Sequence, residues 1–229
     1  MLKENLDKIF EQISGGNNLG EKITLCGATK MVDVSVINQA VEYGLEVVAE
    51  NKVQEFNLKH EHIRGAKQHF IGHLQTNKVK YLVGKVELIH SIDSVHLAQA
   101  IDKQAKKVGV IQDVLIEINV GGELSKSGFE FDNATEQIAF IKQNFLSVKI
   151  KGLMAMLPNT DDEELKISLC KKMRALYEKL ISDGYDLSYL SMGMSADYQI
   201  AIENGSNMIR LGSSIFGKRN YGEIKNGII

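Results

Sequence analysis

Eight short apolar runs, each parted from the next by a segment of helical spacing, constrain this chain more than any other feature. The first run ends at Lys30, and the others fall at residues 45–49, 68–72, 87–90, 110–120, 148–154, 187–190 and 208–211. Between them lie amphipathic segments at 33–44, 51–63, 76–83, 95–107, 132–144, 161–182 and 196–204. Such alternation specifies parallel strands joined by helical crossovers. No run has the polar, alternating look of a sheet edge, and 229 residues is close to the length of one closed barrel of eight units. The expected fold is therefore α/β, a single (β/α)8 TIM barrel spanning residues 1–229 as one domain. A doubly wound open sheet is the alternative. Ahead of the first run, Leu2, Leu6, Ile9, Phe10 and Ile13 recur at helical spacing, so an extra N-terminal helix is expected.

Charge and cysteine usage narrow the partners. Net charge is −2 and the basic residues form no block, which argues against nucleic acid or an acidic membrane surface as a partner. Cys26 and Cys170 show neither metal nor redox spacing and are expected to be free thiols in a reducing compartment. The acids between the apolar positions of the first helix fit neither a signal peptide nor a membrane anchor. A cytoplasmic monomer is expected. The glycines at 15, 16 and 20 follow a helix, whereas a dinucleotide-binding turn follows a strand, so they read as a cap and turn.

A barrel gathers its chemistry at the carboxyl ends of its strands, and that rule turns scattered polar residues into one surface. The expected tips are Lys30, Glu50-Asn51, His73, Ser91, Asn119, Met154, residues 192–195 and residues 210–213. A primary amine at the end of a buried run needs a partner or a reaction to offset its desolvation. Ser195 is expected to open a helix after the seventh strand. Gly212-Ser213-Ser214 follows the eighth, where barrels commonly hold a phosphate on backbone N–H groups. A phosphate cradle beside an amine is the arrangement pyridoxal phosphate requires.

The motifs Ala28-Thr29-Lys30, residues 49–55, residues 69–78, residues 117–120, Ser125-Lys126-Ser127-Gly128, residues 152–156, residues 190–195 and residues 209–217 resemble, in the same order, the pyridoxal phosphate homeostasis protein family. That family looks like the barrel of alanine racemase standing alone. The resemblance implies that Lys30 forms the internal aldimine, a Schiff base with pyridoxal 5′-phosphate. It further implies that Asn51 lies beside Lys30, that Ser195, Gly212 and Ser213 hold the phosphate, and that Arg210 faces the pyridine nitrogen. His73, at a strand tip, is expected to line the pocket. One departure concerns the turn: the family often has serine before the lysine and proline soon after, where this chain has Thr29 and Met31-Val32.

The chemistry narrows the activity further. Only a neutral amine attacks an aldehyde, and a free lysine is almost wholly charged at neutral pH, so partial burial is expected of Lys30. Arginine has donors only, so Arg210 favours an unprotonated ring nitrogen and makes the cofactor a weaker electron sink. Racemisation needs a second base on the opposite face of the substrate. Racemases of the resembled kind draw a tyrosine from a separate β domain, for which no room is expected after Tyr221, so the second base is expected to be missing, with Tyr198 or a partner's residue as the alternative source. The expected function is a non-catalytic carrier or buffer of pyridoxal phosphate in vitamin B6 homeostasis that hands the cofactor to apo-enzymes. The alternatives are a racemase of low activity, or a phosphate-ligand barrel in which Lys30 is an electrostatic clamp. His60, His62, His69 and His73 lie on different elements and read as no single metal site. The four methionines at 154, 156, 192 and 194 read as core and pocket lining. Lys126 reads as solvated, with a gate of the mouth as the alternative its Ser-Lys-Ser-Gly setting offers, and Lys166, Lys171, Lys172 and Arg174 read as a solvated face.

Overall fold

The computed structural model describes residues 1–123 and 125–217. The basic tail, with Tyr221, lies outside them. Within them, eight parallel strands close on themselves: β1 (Thr24–Ala28), β2 (Val47–Glu50), β3 (Lys67–Phe70), β4 (Leu88–Ile92), β5 (Gln112–Asn119), β7 (Val148–Ala155), β8 (Tyr189–Ser191) and β9 (Met208–Leu211). The ring closes where β9 pairs with β1, Thr24 opposite Met208 and Gly27 opposite Leu211. The TIM-barrel expectation holds and the open sheet is excluded. Closure leaves no row of unpaired backbone groups at a sheet edge.

One strand is additional. The two-residue β6 (Phe129–Glu130) pairs with Ile118 and Asn119 at the top of β5. Gly128 makes this approach possible, because at φ +115° a Cβ there would lie 2.6 Å from the Asn119 nitrogen.

The crossovers are α2 (Val34–Glu42), α3 (Val53–Lys59), a 3-10 turn at Thr76–Tyr81, α4 (Val95–Val108), α5 (Ala134–Asn144), α6 (Glu163–Ser182) and α7 (Tyr198–Glu203), and the four-residue α8 (Ser213–Phe216) follows β9. Ser94 and Asp162 cap α4 and α6 by accepting from the N–H groups of Leu97 and Leu165. Asp33 precedes α2 without making such a bond. The extra helix α1 (Leu2–Ile13) buries Leu6, Ile9 and Ile13 against Leu25, Ile37, Ile209 and Ile215. Asn5 then ties α1 to α8 by donating to the Ile215 carbonyl at 3.0 Å. Among the described residues no helix is long and apolar enough to cross a membrane.

Strand alternation divides the core. Outward residues pack under the helices, while Leu88, Leu115, Met154 and Met208 form one inner layer and Cys26, Val47 and Ala49 another. His69, His90, Glu117, Ser191 and Arg210 share the inward parity and are also buried. The inside of this barrel is thus polar toward its carboxyl mouth. Both cysteines are buried free thiols.

Candidate functional site

A cavity of about 610 Å³ opens at the carboxyl mouth, and Lys30, Asn51, Ser195, Arg210, Gly212 and Ser213 all line it. His73 is placed elsewhere: it lines a neighbouring cavity of about 320 Å³ that shares Asn51, Ile71 and Met156 with the first. Its ring is largely exposed, with Nδ1 3.1 Å from the Asp93 carboxylate.

Lys30 does not end a strand. The strand β1 stops at Ala28, and the half-buried Lys30 occupies the following turn. Thr29 extends the ladder by donating its N–H to the Ala49 carbonyl at 2.9 Å, and Val32 N–H then closes the turn onto the Thr29 carbonyl at 3.0 Å. Met31 adopts φ +60°, the left-handed region that a side chain seldom occupies.

Three charged residues that sequence reasoning left without a role hold that turn. The Lys59 ammonium donates to the Thr29 carbonyl at 2.9 Å, to Glu50 Oε1 at 2.8 Å and to Glu55 Oε2 at 3.0 Å. Glu50 Oε1 also accepts from the Thr29 hydroxyl at 2.7 Å, and Glu55 Oε2 from the Met31 N–H at 2.7 Å. Burial pushes the Glu50 carboxyl above its ordinary pKa, with Lys59 and Thr29 opposing. Burial opposes ionisation of Glu55 too, but the Met31 N–H and Lys59 together hold its pKa below the usual value. The Glu55–Lys59 spacing of four on one helix was the available signal. Lys30 has no ion pair among the described residues.

Arg210 reaches the cavity from within the barrel wall and is only 5% exposed. One terminal nitrogen donates to the Ser191 carbonyl at 2.9 Å and to Ser191 Oγ at 2.6 Å, the other to the Ala155 carbonyl at 3.0 Å. Its partners are neutral, and burial lowers its pKa. Cys26 beside it is a thiol rather than a counter-ion, since burial pushes its pKa up to about 12. A buried guanidinium without a carboxylate favours an acceptor or an anion at the remaining face. Below it, His69 Nδ1 and His90 Nε2 are 3.0 Å apart. Burial takes His69 down to about 3 and His90 well below the ordinary value, so both rings are neutral.

The rim is built from two loops. Ser195 does not open a helix: α7 begins three residues later, at Tyr198. Instead Ser195 Oγ accepts from the Ser214 N–H at 3.4 Å, joining the β8 and β9 loops. Tyr198 faces away from the Lys30 cavity, its hydroxyl donating to Gln12 Oε1 at 2.6 Å. Lys126 is not solvated but spans the second cavity, bonded to Glu123 Oε1 at 2.6 Å and the Leu157 carbonyl at 3.2 Å. Of the basic residues of α6, Lys171 and Lys172 are exposed as expected, but Lys166 is buried and Arg174 makes a bidentate pair with Glu21 at 2.7 and 2.9 Å. Met154 and Met192 are core, while Met156 and Met194 line the cavity.

A closed parallel barrel with a lysine, a buried arginine and a serine-glycine rim at its carboxyl mouth defines the class, the barrel of the alanine racemase type. Residues 7–220 match the family described as alanine racemase, N-terminal domain. The pyridoxal phosphate homeostasis protein of Aquifex aeolicus (strain VF5) is 43% identical over 221 residues, 95% of either chain. PipY of Synechococcus elongatus PCC7942, solved without and with PLP bound, superposes with TM-scores of 0.86 and 0.83 at 26% identity, over 95% of this chain and 100% of that one. An alanine racemase of Clostridium difficile 630 shares the fold, with a TM-score of 0.81 at 17% identity over 95% of this chain and 56% of the racemase. This chain belongs to the pyridoxal phosphate homeostasis protein family, within the wider group of alanine racemase N-terminal domains.

Proposed function

We propose that the chain binds pyridoxal 5′-phosphate reversibly through Lys30 and acts as a carrier or buffer of it rather than as a racemase. The single observation carrying this proposal is the make-up of the cavity wall. Among the described residues Lys30 and Arg210 are its only ionisable lining groups, and arginine does not give up its proton in this pH range. One base is therefore present where inversion at carbon requires two.

The residues fit the cofactor. The volume is within the range of small-molecule sites, the Ser195, Gly212 and Ser213 rim offers hydroxyl and backbone groups to a phosphate, and Ala28, Ile71 and Met156 provide apolar wall for a ring. Arg210 spends three of its five N–H donors on Ser191 and Ala155, which leaves Nε and one hydrogen of the second terminal nitrogen to address an acceptor such as a ring nitrogen. Asn51 shares the wall with Lys30 and orients the ligand beside it. When bound, the cofactor supplies an aldehyde that condenses with a neutral amine and releases one water. The residues of the chain hold that amine in a half-buried turn and fix the opposite end of the ligand on the rim. His73 stands off the first cavity and contributes at most to its neighbour. The same proposal has the protein acting as a cytoplasmic monomer that passes the cofactor to apo-enzymes.

The test combines spectroscopy with exchange. Purified protein is mixed with pyridoxal phosphate, reduced with borohydride and mapped by mass spectrometry, and alanine is assayed for solvent deuterium at Cα. Adduct on Lys30 without deuterium uptake is expected. Sustained uptake that disappears in Lys30→Ala would overturn the carrier assignment in favour of a racemase.

A further inference from the structure

Lys59 is withdrawn from solvent, its side chain 13% exposed, although it ends a short helix on the outside of the barrel. One of its three acceptors is the peptide carbonyl just before Lys30, and the other two are carboxylates that bond the same turn. It takes the Thr29 carbonyl directly, and its two carboxylate partners hold the Thr29 hydroxyl and the Met31 N–H. One ammonium thus closes a ring of bonds over the residues immediately before and after Lys30.

That ring also sets the local charge. The charged groups facing the turn are Glu50 at the end of β2, Lys52, Glu55 and Lys59 on or next to α3, and Arg210 in the cavity wall. With Lys59 in place Glu50 and Glu55 each have a cation bonded to them. Without it, Glu50 has no bonded cation and Glu55 keeps only the field of Lys52, which leaves two carboxylates bonded to the residues on either side of Lys30 without their main counter-charge. A carboxylate within about 4–6 Å raises a lysine pKa and holds the amine protonated, the form that cannot attack an aldehyde.

We propose that Lys59 is a positioning residue for Lys30: it pins the backbone from which Lys30 projects and takes up Glu50 and Glu55 so that neither captures the Lys30 amine. This rests on Lys30 being the aldehyde-binding lysine. Lys59 touches neither ligand nor reacting atoms, and Glu50 and Glu55 are parts of the same device.

The experiment follows the rate and pH midpoint of borohydride-trappable adduct with pyridoxal phosphate in wild type, Lys59→Met, Lys59→Arg, Glu55→Gln and the Lys59→Met/Glu55→Gln double variant, each checked by thermal unfolding. Lys59→Met is expected to slow adduct formation at neutral pH about 10-fold and move the midpoint up by at least about half a unit. Arginine at 59 restores the wild-type profile, and removing Glu55 in the Met background recovers part of the loss, which a purely structural role would not do. Glu55→Gln alone moves the midpoint down, so the proposal stays testable if Lys59→Met fails to fold. Unchanged rate and midpoint in Lys59→Met, or in Glu55→Gln should the former unfold, overturn the role of Lys59 alone. Absence of adduct in wild type would overturn the Lys30 assignment on which it stands.

Discussion

Lys30 and Arg210 face the same cavity but are held in opposite ways: Lys30, without an ion pair among the described residues, sits on a turn pinned by other residues, while Arg210 is bonded into the barrel wall by its own terminal nitrogens. Replacing Arg210 by Met would leave Ser191 and two buried carbonyls without a donor. Loss of about 2–4 kcal/mol in urea unfolding is expected, together with weaker cofactor binding by titration; unchanged binding would remove Arg210 from the site. Lys30, Asn51, Ser195, Gly212 and Ser213 were legible from sequence because each follows a strand and the barrel rule sends strand ends to one mouth. Lys59 was not, because it sits at the far end of α3, where a lysine reads as solvent-facing until its partners are seen.

At the scale of elements, the approach of β3's loop to β2's loop decides where Asn51 stands. A Cβ on Gly72 would come 1.9 Å from the Asn51 carbonyl oxygen, so Gly72→Ala forces the two loops apart. Cofactor affinity is expected to fall about 10-fold or more with a loss of about 1–3 kcal/mol in stability. An unaltered titration curve would show that Asn51 does not need its present position. The elements themselves were largely readable: all eight runs became barrel strands, with ends shifted by a few residues. Polar partnerships across the chain were not. Arg174 on α6 finds Glu21, 153 residues away, in the loop before β1, and also takes the Gly205 carbonyl. No local periodicity encodes such a pairing. Arg174→Ala is expected to destabilise the protein by about 1–3 kcal/mol in chemical denaturation, and a change below a few tenths would reduce the pair to an incidental surface contact.

For the whole molecule, closure is what the sequence conveyed best, because a barrel is written in strand count and connection length. The polar interior was invisible, since His69, His90 and Glu117 look like ordinary polar members of strands until the inward parity is known. That interior makes stability depend on pH. The two histidines have folded pKa values below the ordinary 6.5, so their contribution is complete above pH 6.5 and is lost as pH falls toward about 3. Glu117 acts in the other direction. Burial raises it from 4.5 to about 7, so its contribution is present below pH 4.5 and is lost as pH rises through 7. In Glu117→Gln this offset disappears, and between pH 6.5 and 4.5 stability is expected to fall more steeply than in wild type by about 1.4 kcal/mol per pH unit. Unfolding curves at three pH values check this, and parallel pH dependence in the two proteins would contradict it.

The central claim is that one lysine of this barrel, Lys30, is the residue that binds the cofactor. Borohydride reduction of the pyridoxal phosphate complex followed by peptide mass mapping tests it most directly. A single adduct on Lys30, absent from Lys30→Ala, is the predicted result. An adduct centred on another lysine, Lys126 for instance, or no adduct at all, would contradict it.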